Sequence, residues 1–225
     1  MSDVTVIGGG VAGLWAARAC LAQGLRPRLV DSKGPPGPHG CSWWAGGMLA
    51  PFCEGALSEP AVVTHGKRAA DMWSEVTEVT RRGTLVLAPE RDRAEIQRFA
   101  ARTEGHAACD ADAIASLEPD LAPRHRRGLF FTDDLAGLRA VRGEMILLRA
   151  PDVTLTRPIR LLHPRHPLYV VPRESGMFML GATQIESASR AKMTARSALE
   201  LLSAAYALDP RFAEAEIIEM GADLR

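Results

Sequence analysis

The chain is short of aromatic residues, which make up 5% of its 225 residues and include two tyrosines, and it has no net charge, with 27 Lys+Arg against 27 Asp+Glu. Without a basic excess, nucleic acid is excluded as a main partner, because binding a phosphate chain needs one. No apolar run reaches the roughly 18–20 residues that cross a bilayer, so no membrane partner is expected. Met1-Ser2-Asp3 has no basic leader character, and three glycines break the apolar stretch behind it, so neither signal peptide nor anchor is expected. The four cysteines (Cys20, Cys41, Cys53, Cys109) show neither CxxC spacing nor a disulfide framework. They read as free structural thiols in a reducing cytoplasm. His163 and His166 flank Pro164 and Arg165 with no carboxylate to complete a ligand set, so no metal is expected. What remains is an ordinary globular composition, 47% hydrophobic and 24% charged, sufficient for one large domain or two small ones.

The first thirty residues carry the clearest pattern. Val4-Thr5-Val6-Ile7 is a β-branched run that meets Gly8-Gly9-Gly10-Val11-Ala12-Gly13 directly. Leu14 to Gln23 then reads as a helix stopped by Gly24, and Leu25 to Val30 as a second strand ending at Asp31. Gly8 permits a tight turn, Gly10 lets a pyrophosphate approach the helix N-terminus, and Gly13 lets the helix lie close on the sheet. Asp31 stands 18 residues after Gly13, where a carboxylate accepts from both ribose hydroxyls and disfavours a 2′-phosphate. This is a dinucleotide-binding βαβ unit, and by itself it does not separate NAD from FAD.

Beyond it, the segment Cys41 to Pro51 suits a small-residue turn beneath a planar group, or equally a Gly-rich loop with Trp43 and Trp44 packed on the core. Apolar spacing predicts helices over 62–80, 90–103, 110–117 and 191–207. Strands are predicted over 84–88, 129–131, 141–148, 158–162, 168–171, 177–180 and 216–220. The short alternating strands suggest an antiparallel sheet. Arg124-His125-Arg126-Arg127 reads as a solvated basic turn, and Arg142 with Glu144 as an ion pair or a cap. Taken alone, Tyr169 reads as a half-buried core tyrosine and Arg225 as a solvated end.

The motifs VTVIGGGVAGLWAARACLAQGLRPRLVD, GCSWWAGGMLAP, RRGLFF, VRGEMILL, LYVVPRESGMFMLGAT and GADLR occur in the order of one family. The chain resembles the FAD-dependent D-amino-acid oxidase superfamily, most closely the glycine oxidases of thiamine biosynthesis. The resemblance implies an α/β (mixed α+β) architecture, a Rossmann-like FAD-binding domain interleaved with an antiparallel substrate domain. The implied segments are 1–60 for the βαβ unit and flavin loop, 61–131 and 141–215 for the substrate domain, and 216–225 for a return to the FAD-binding domain. It implies FAD as cofactor, with Gly8, Gly10, Val11, Ala12 and Gly13 at the pyrophosphate and Asp31 and Ser32 at the adenosine ribose. Ser42, Ala45, Gly46, Gly47 and Met48 would lie along the ribityl chain and ring. Tyr169 would face the substrate, and Arg225 would pair with its carboxylate. The implied reaction is oxidation of glycine or a similar small amino acid by dioxygen, giving imine, then glyoxylate and ammonia, with hydrogen peroxide. Another amine, sarcosine or D-amino-acid oxidase of the superfamily, or a truncated non-catalytic remnant, is the alternative. A homo-oligomer is compatible with the pattern. Two departures are expected to weaken catalysis: a block absent at a junction over 132–140, and a tail absent after Arg225.

Overall fold

The computed structural model of the chain describes residues 3–56, 58–136, 143–163, 167–181 and 192–223. Strand β1 (Asp3–Ile7), helix α1 (Val11–Ala22) and strand β2 (Arg26–Val30) form the amino-terminal crossover. The two strands pair in parallel with Val4 opposite Pro27 and Val6 opposite Leu29. Among the described residues this sheet has only these two strands, and Ile7, Leu29 and Val30 are exposed at 86%, 38% and 39%. Helix α1 is held to the rest of the chain by Trp15, edge-to-face on Trp73 at 5.2 Å, and by an Arg18–Glu75 ion pair at 2.6 Å.

The chain continues through β3 (Met48–Leu49), α2 (Pro51–Glu54), α3 (Pro60–Gly66), α4 (Ala69–Ser74), β4 (Thr84–Leu87), α5 (Ala94–Ala100), β5 (Ala107–Cys109), α6 (Ala111–Leu117), β6 (Gly128–Phe131) and β7 (Leu135–Ala136). Then come β8 (Gly143–Arg149), β9 (Ile159–Leu161), β10 (Leu168–Pro172), β11 (Met177–Gly181), α7 (Ala195–Leu208) and β12 (Glu216–Asp223). Eight strands form one sheet in the order β12-β8-β11-β10-β9-β4-β6-β5, antiparallel at every step except β4–β9. A two-residue ladder joins β3 to β7. The mixed α/β class expected from sequence is the one observed. Residues before and after the 132–140 junction enter the same sheet, because β4, β5 and β6 extend the sheet built by β8 to β12. Strand β12 pairs with β8 rather than with β1 and β2. The segment expected to return to the amino-terminal unit therefore lies at the edge of the large sheet.

Period-two alternation sorts the side chains of this sheet into two layers. Leu85, Leu87, Ile146, Leu148, Ile159, Leu161, Leu168, Val170, Phe178 and Leu180 share one core with Ile114 of α6 and Leu201, Ala205 and Leu208 of α7. On the opposite face, Val86, Leu129 and Phe131 pack with Ala50, Cys53, Ile96 and Phe99, while Met145, Val171 and Met179 pack with Trp44. The second face carries the polar groups described below.

Three sequence expectations are corrected. The single helix over 62–80 is two, α3 and α4, with a turn between them. Gly66 approaches Pro51 so closely that a Cβ there would lie 2.8 Å from the Pro51 Cβ, and the turn redirects α4 so that Trp73 meets Trp15. The 90–103 helix is reduced to α5 because Glu90–Asp92 forms a separate 3-10 turn. His125 is not part of a solvated basic turn: it is 3% exposed, and its Nδ1 lies 3.2 Å from the Ala88 carbonyl oxygen.

Burial holds the His125 pKa below the usual 6.5. The unfolded chain therefore takes up a proton near pH 6.5 that the folded protein binds only at lower pH. Stability from this group is intact above the unfolded value and falls as the pH drops below it. Between pH 7 and 5 the melting temperature should decline more steeply for the native chain than for His125→Asn; parallel declines would refute the assignment.

Candidate cofactor and substrate site

The turn after β1 is braced from two sides. Gly8 takes φ +106°, a region that a residue with a Cβ avoids, and its N–H donates to the Val30 carbonyl at 2.8 Å. Asp31 accepts from the Gly9 N–H at 2.7 Å and from the Lys33 N–H at 2.9 Å. Those bonds, Gly9 first, hold its carboxyl below the usual carboxylate range. A carboxylate offers about four acceptor sites, so the bracing role leaves capacity for ribose hydroxyls. Ser32 follows in an exposed turn. A Cβ on Gly13 would stand 1.8 Å from the Gly8 carbonyl oxygen, so α1 approaches the turn to a distance only glycine allows.

The first turn of α1, with Val11, Ala12 and Gly13, presents N–H groups that have no intrahelical acceptor, and it contains no acidic side chain. The Val11 N–H donates to Ser42 Oγ at 3.1 Å. That bond brings the small-residue loop onto the glycine turn and joins two motifs 31 residues apart. A Cβ on Gly10 would lie 3.3 Å from Ser42 Oγ, so the space beside Gly10 is framed by a hydroxyl and helix-terminal donors. These are the features an extended dinucleotide diphosphate requires. Gly10→Val should abolish dinucleotide affinity by filling that space, as fluorescence titration with FAD would report; an unchanged dissociation constant would show that the turn binds no phosphate.

Within the loop, Cys41–Trp44 forms a 3-10 turn. Trp44 is buried against Met145, Val171 and Met179 and donates from Nε1 to the Pro38 carbonyl at 3.0 Å, whereas Trp43 is 51% exposed. Only one of the two tryptophans is therefore a core residue. Arg173, immediately after β10, donates from Nη2 to the carbonyls of Ala45 at 3.1 Å and Gly46 at 3.3 Å. Gly46 lies over Val171, where an added Cβ would be 3.4 Å from Cγ2, and Met48 pairs with Ala136 in the β3–β7 ladder. Sequence reasoning did not single out Arg173. Its signal was the two-residue period from Tyr169 through Val171, which carries on into the extended residue just after β10.

Tyr169, half-buried, donates its hydroxyl hydrogen to Oε1 of Glu54, the last residue of α2. Directly opposite in β9 is Arg160, 3% exposed, in a position that alternation reserves for an apolar side chain. Its guanidinium lies between the rings of Phe99 and Tyr169, 4.8 and 4.9 Å from their centroids. Nη1 donates to the Cys53 carbonyl at 2.8 Å and lies 3.6 Å from Glu54 Oε1. Burial, Cys53 and Glu54 push the Tyr169 phenol well above its usual pKa, against the pull of Arg160. Asp134, fully buried, accepts the N–H groups of Phe52 and Cys53 at 3.0 Å each and so caps α2 from across the chain. Desolvation raises it to about 7. Burial likewise pushes the Cys53 thiol up to about 12, which leaves it inert as a nucleophile, in line with a structural role. Glu144 accepts from the Thr194 N–H at 3.2 Å. Arg142, His166 and Arg225 lie outside the described residues.

A parallel crossover with an acid-braced glycine turn, joined through Ser42 to a small-residue loop on an antiparallel sheet, is the architecture of a dinucleotide-dependent protein. The family model described as FAD dependent oxidoreductase (DAO) matches residues 3–137, and the chain belongs to that family. It is 42% identical over 273 residues to a Rhizobium etli protein carrying the provisional name thiamine biosynthesis oxidoreductase ThiO, covering 99% of this chain and 83% of the relative. That alignment is longer than the chain, so about fifty of its positions fall opposite gaps in this sequence. The fold is shared with glycine oxidase from Geobacillus kaustophilus, at TM-score 0.76 and 20% identity over 100% of this chain and 83% of that one. It is shared also with glycine oxidase from Bacillus cereus, at TM-score 0.78 and 18% identity over 100% and 85%. The cofactor is FAD, as the resemblance implied, rather than NAD. No described helix is long and apolar enough to cross a membrane.

Proposed function

We propose that the chain catalyses oxidative deamination of glycine or a similarly small amino acid, with dioxygen and water consumed and glyoxylate, ammonia and hydrogen peroxide released. The observation that carries this reading is the face shared by β10 and the extended residue that follows it. Arg173 and Val171 hold the small-residue loop, and four residues earlier Tyr169 reaches the polar cluster on α2. One rigid strand thus spaces the loop from the tyrosine. Bound FAD supplies the two-electron acceptor and its reoxidation by dioxygen.

The protein's part is binding and orientation. Gly8, Gly10, Val11, Ala12 and Gly13 take the pyrophosphate, and Asp31 and Ser32 the adenosine ribose. Ser42 and Ala45 to Met48 take the ribityl chain and ring. Tyr169 faces the substrate, and Arg225 pairs with its carboxylate, so that the Cα–H is aimed at the acceptor. The provisional name of the Rhizobium etli relative supports a role in thiamine biosynthesis, and the free cysteines support a cytoplasmic setting. We assign the unmatched positions of that relative to the 132–140 junction, where the family match ends.

The test is a peroxide-coupled assay of the FAD-loaded protein with glycine, sarcosine and D-alanine. Glycine should give peroxide and glyoxylate in equal amounts. FAD-saturated protein that yields peroxide from none of the three would overturn the reading; preference for sarcosine or D-alanine would reassign the substrate within the same chemistry.

A further inference from the structure

Arg160 is placed where the sheet offers an apolar environment, and the surroundings show what keeps it there. Its neighbours across the strands are Tyr169 on β10 and Val86 on β4. Two aromatic faces enclose the guanidinium, Cys53 supplies a carbonyl acceptor, and Glu54 supplies the counter-charge at 3.6 Å. Among the described residues the buried Nε atom has no hydrogen-bond partner. A buried arginine is a costly way to fill space, since an apolar side chain of similar volume avoids the desolvation penalty. What the arrangement achieves is geometric. The ring of Tyr169 is pressed against a planar cation, and its hydroxyl hydrogen is committed to Glu54. Both rotations open to a tyrosine side chain, that of the ring and that of the hydroxyl, are thereby fixed.

We propose that Glu54 and Arg160 are positioning residues for Tyr169, acting on the substrate only through the orientation they impose on its phenol. Glu54 sets the direction of the hydroxyl, leaving the oxygen lone pairs toward the site, while Arg160 sets the plane of the ring and faces the Glu54 carboxylate at 3.6 Å. The inference rests on the reading above that Tyr169 faces the substrate.

The decisive experiment is a double-mutant cycle on the FAD-loaded enzyme, with glycine as substrate and peroxide as readout. Tyr169→Phe and Glu54→Gln should each lower kcat/KM by about tenfold, the worth of one hydrogen bond to a charged group. The double variant should be no worse than Tyr169→Phe alone. Arg160→Lys, which keeps the charge but not the planar fork, should resemble Glu54→Gln. FAD affinity should be unchanged in all of them, because none touches the dinucleotide turn. Independent losses that multiply in the double variant would overturn the proposal while leaving the substrate-facing role of Tyr169 intact. No loss in Tyr169→Phe would overturn both.

A second measurement needs neither FAD nor turnover. The chain has two tyrosines, so a Tyr206→Phe background leaves Tyr169 as the only phenol. Its ultraviolet resonance Raman doublet should report a strong hydrogen-bond donor, weakened by Glu54→Gln. An identical doublet in both proteins would show that Glu54 does not hold the hydroxyl.

Discussion

Gly13→Ala is expected to abolish FAD binding and to destabilise the amino-terminal unit. A Cβ at this position would sit 1.8 Å from the Gly8 carbonyl oxygen, and that oxygen belongs to a backbone turn that cannot rotate aside. Gly8 is fixed by its N–H to Val30, and Gly9 by its N–H to Asp31. Helix α1 must therefore retreat by more than an ångström, on the order of the shifts that cost overpacked interiors about 1–3 kcal/mol. The retreat also draws the Val11 N–H away from Ser42 and withdraws the helix-terminal donors from the diphosphate position. Fluorescence titration should show no saturation at FAD concentrations that fill the native protein, and the melting temperature of the variant should fall. Native affinity in Gly13→Ala would mean that the close approach of helix and turn is not needed for the cofactor.

The second large effect is expected at Arg160. Arg160→Ala should cost about 3–5 kcal/mol, the range for breaking a buried ion pair on one side only. The loss has three sources: Glu54 without its counter-charge, the Cys53 carbonyl without its donor, and a void between Phe99 and Tyr169. Urea unfolding followed by tryptophan fluorescence would measure it. Removing Glu54 as well should cost less than the sum of the two single changes, because the residues share one interaction. A loss under about 1 kcal/mol, the value of an exposed pair, would show that the guanidinium is solvated.

The comparison of sequence with structure separates local from long-range information. The βαβ unit was legible because each of its signals is local: a β-branched run, glycines at fixed spacing, and an acid at the end of the second strand. The strands of the large sheet were legible from alternation, but their order was not, since β4 lies beside β9 across more than seventy residues. The division of 62–80 into two helices was hidden because Ala70 and Trp73, which pack together with Leu49, keep helical spacing with Val63, which lies beside Gly55. Arg160 and Asp134 were missed for the same reason. Ile-Arg-Leu in a strand reads as an exposed arginine unless one knows that both faces of the sheet are covered. An aspartate 82 positions from Phe52 gives no sign that it caps the helix there. Of the two residues given to substrate, Tyr169 reaches the polar cluster on α2, and Arg225 lies outside the described residues.

Among the described residues the amino-terminal unit is a two-stranded sheet that leaves Ile7, Leu29 and Val30 exposed and meets the rest of the protein through Trp15 on Trp73, Arg18 on Glu75, and Val11 on Ser42. A unit of this kind opens independently of the large sheet, at a free energy well below that of global unfolding. Opening breaks the bond between the Val11 N–H and Ser42, and a dinucleotide held by both the α1 N-terminus and the small-residue loop would bridge the two parts. Each tenfold of free FAD above its dissociation constant then adds about 1.4 kcal/mol against opening. Cofactor supply in the cell would thus govern how long the first thirty residues stay closed to proteases, and flavin scarcity would shorten the life of the protein from its amino-terminal end.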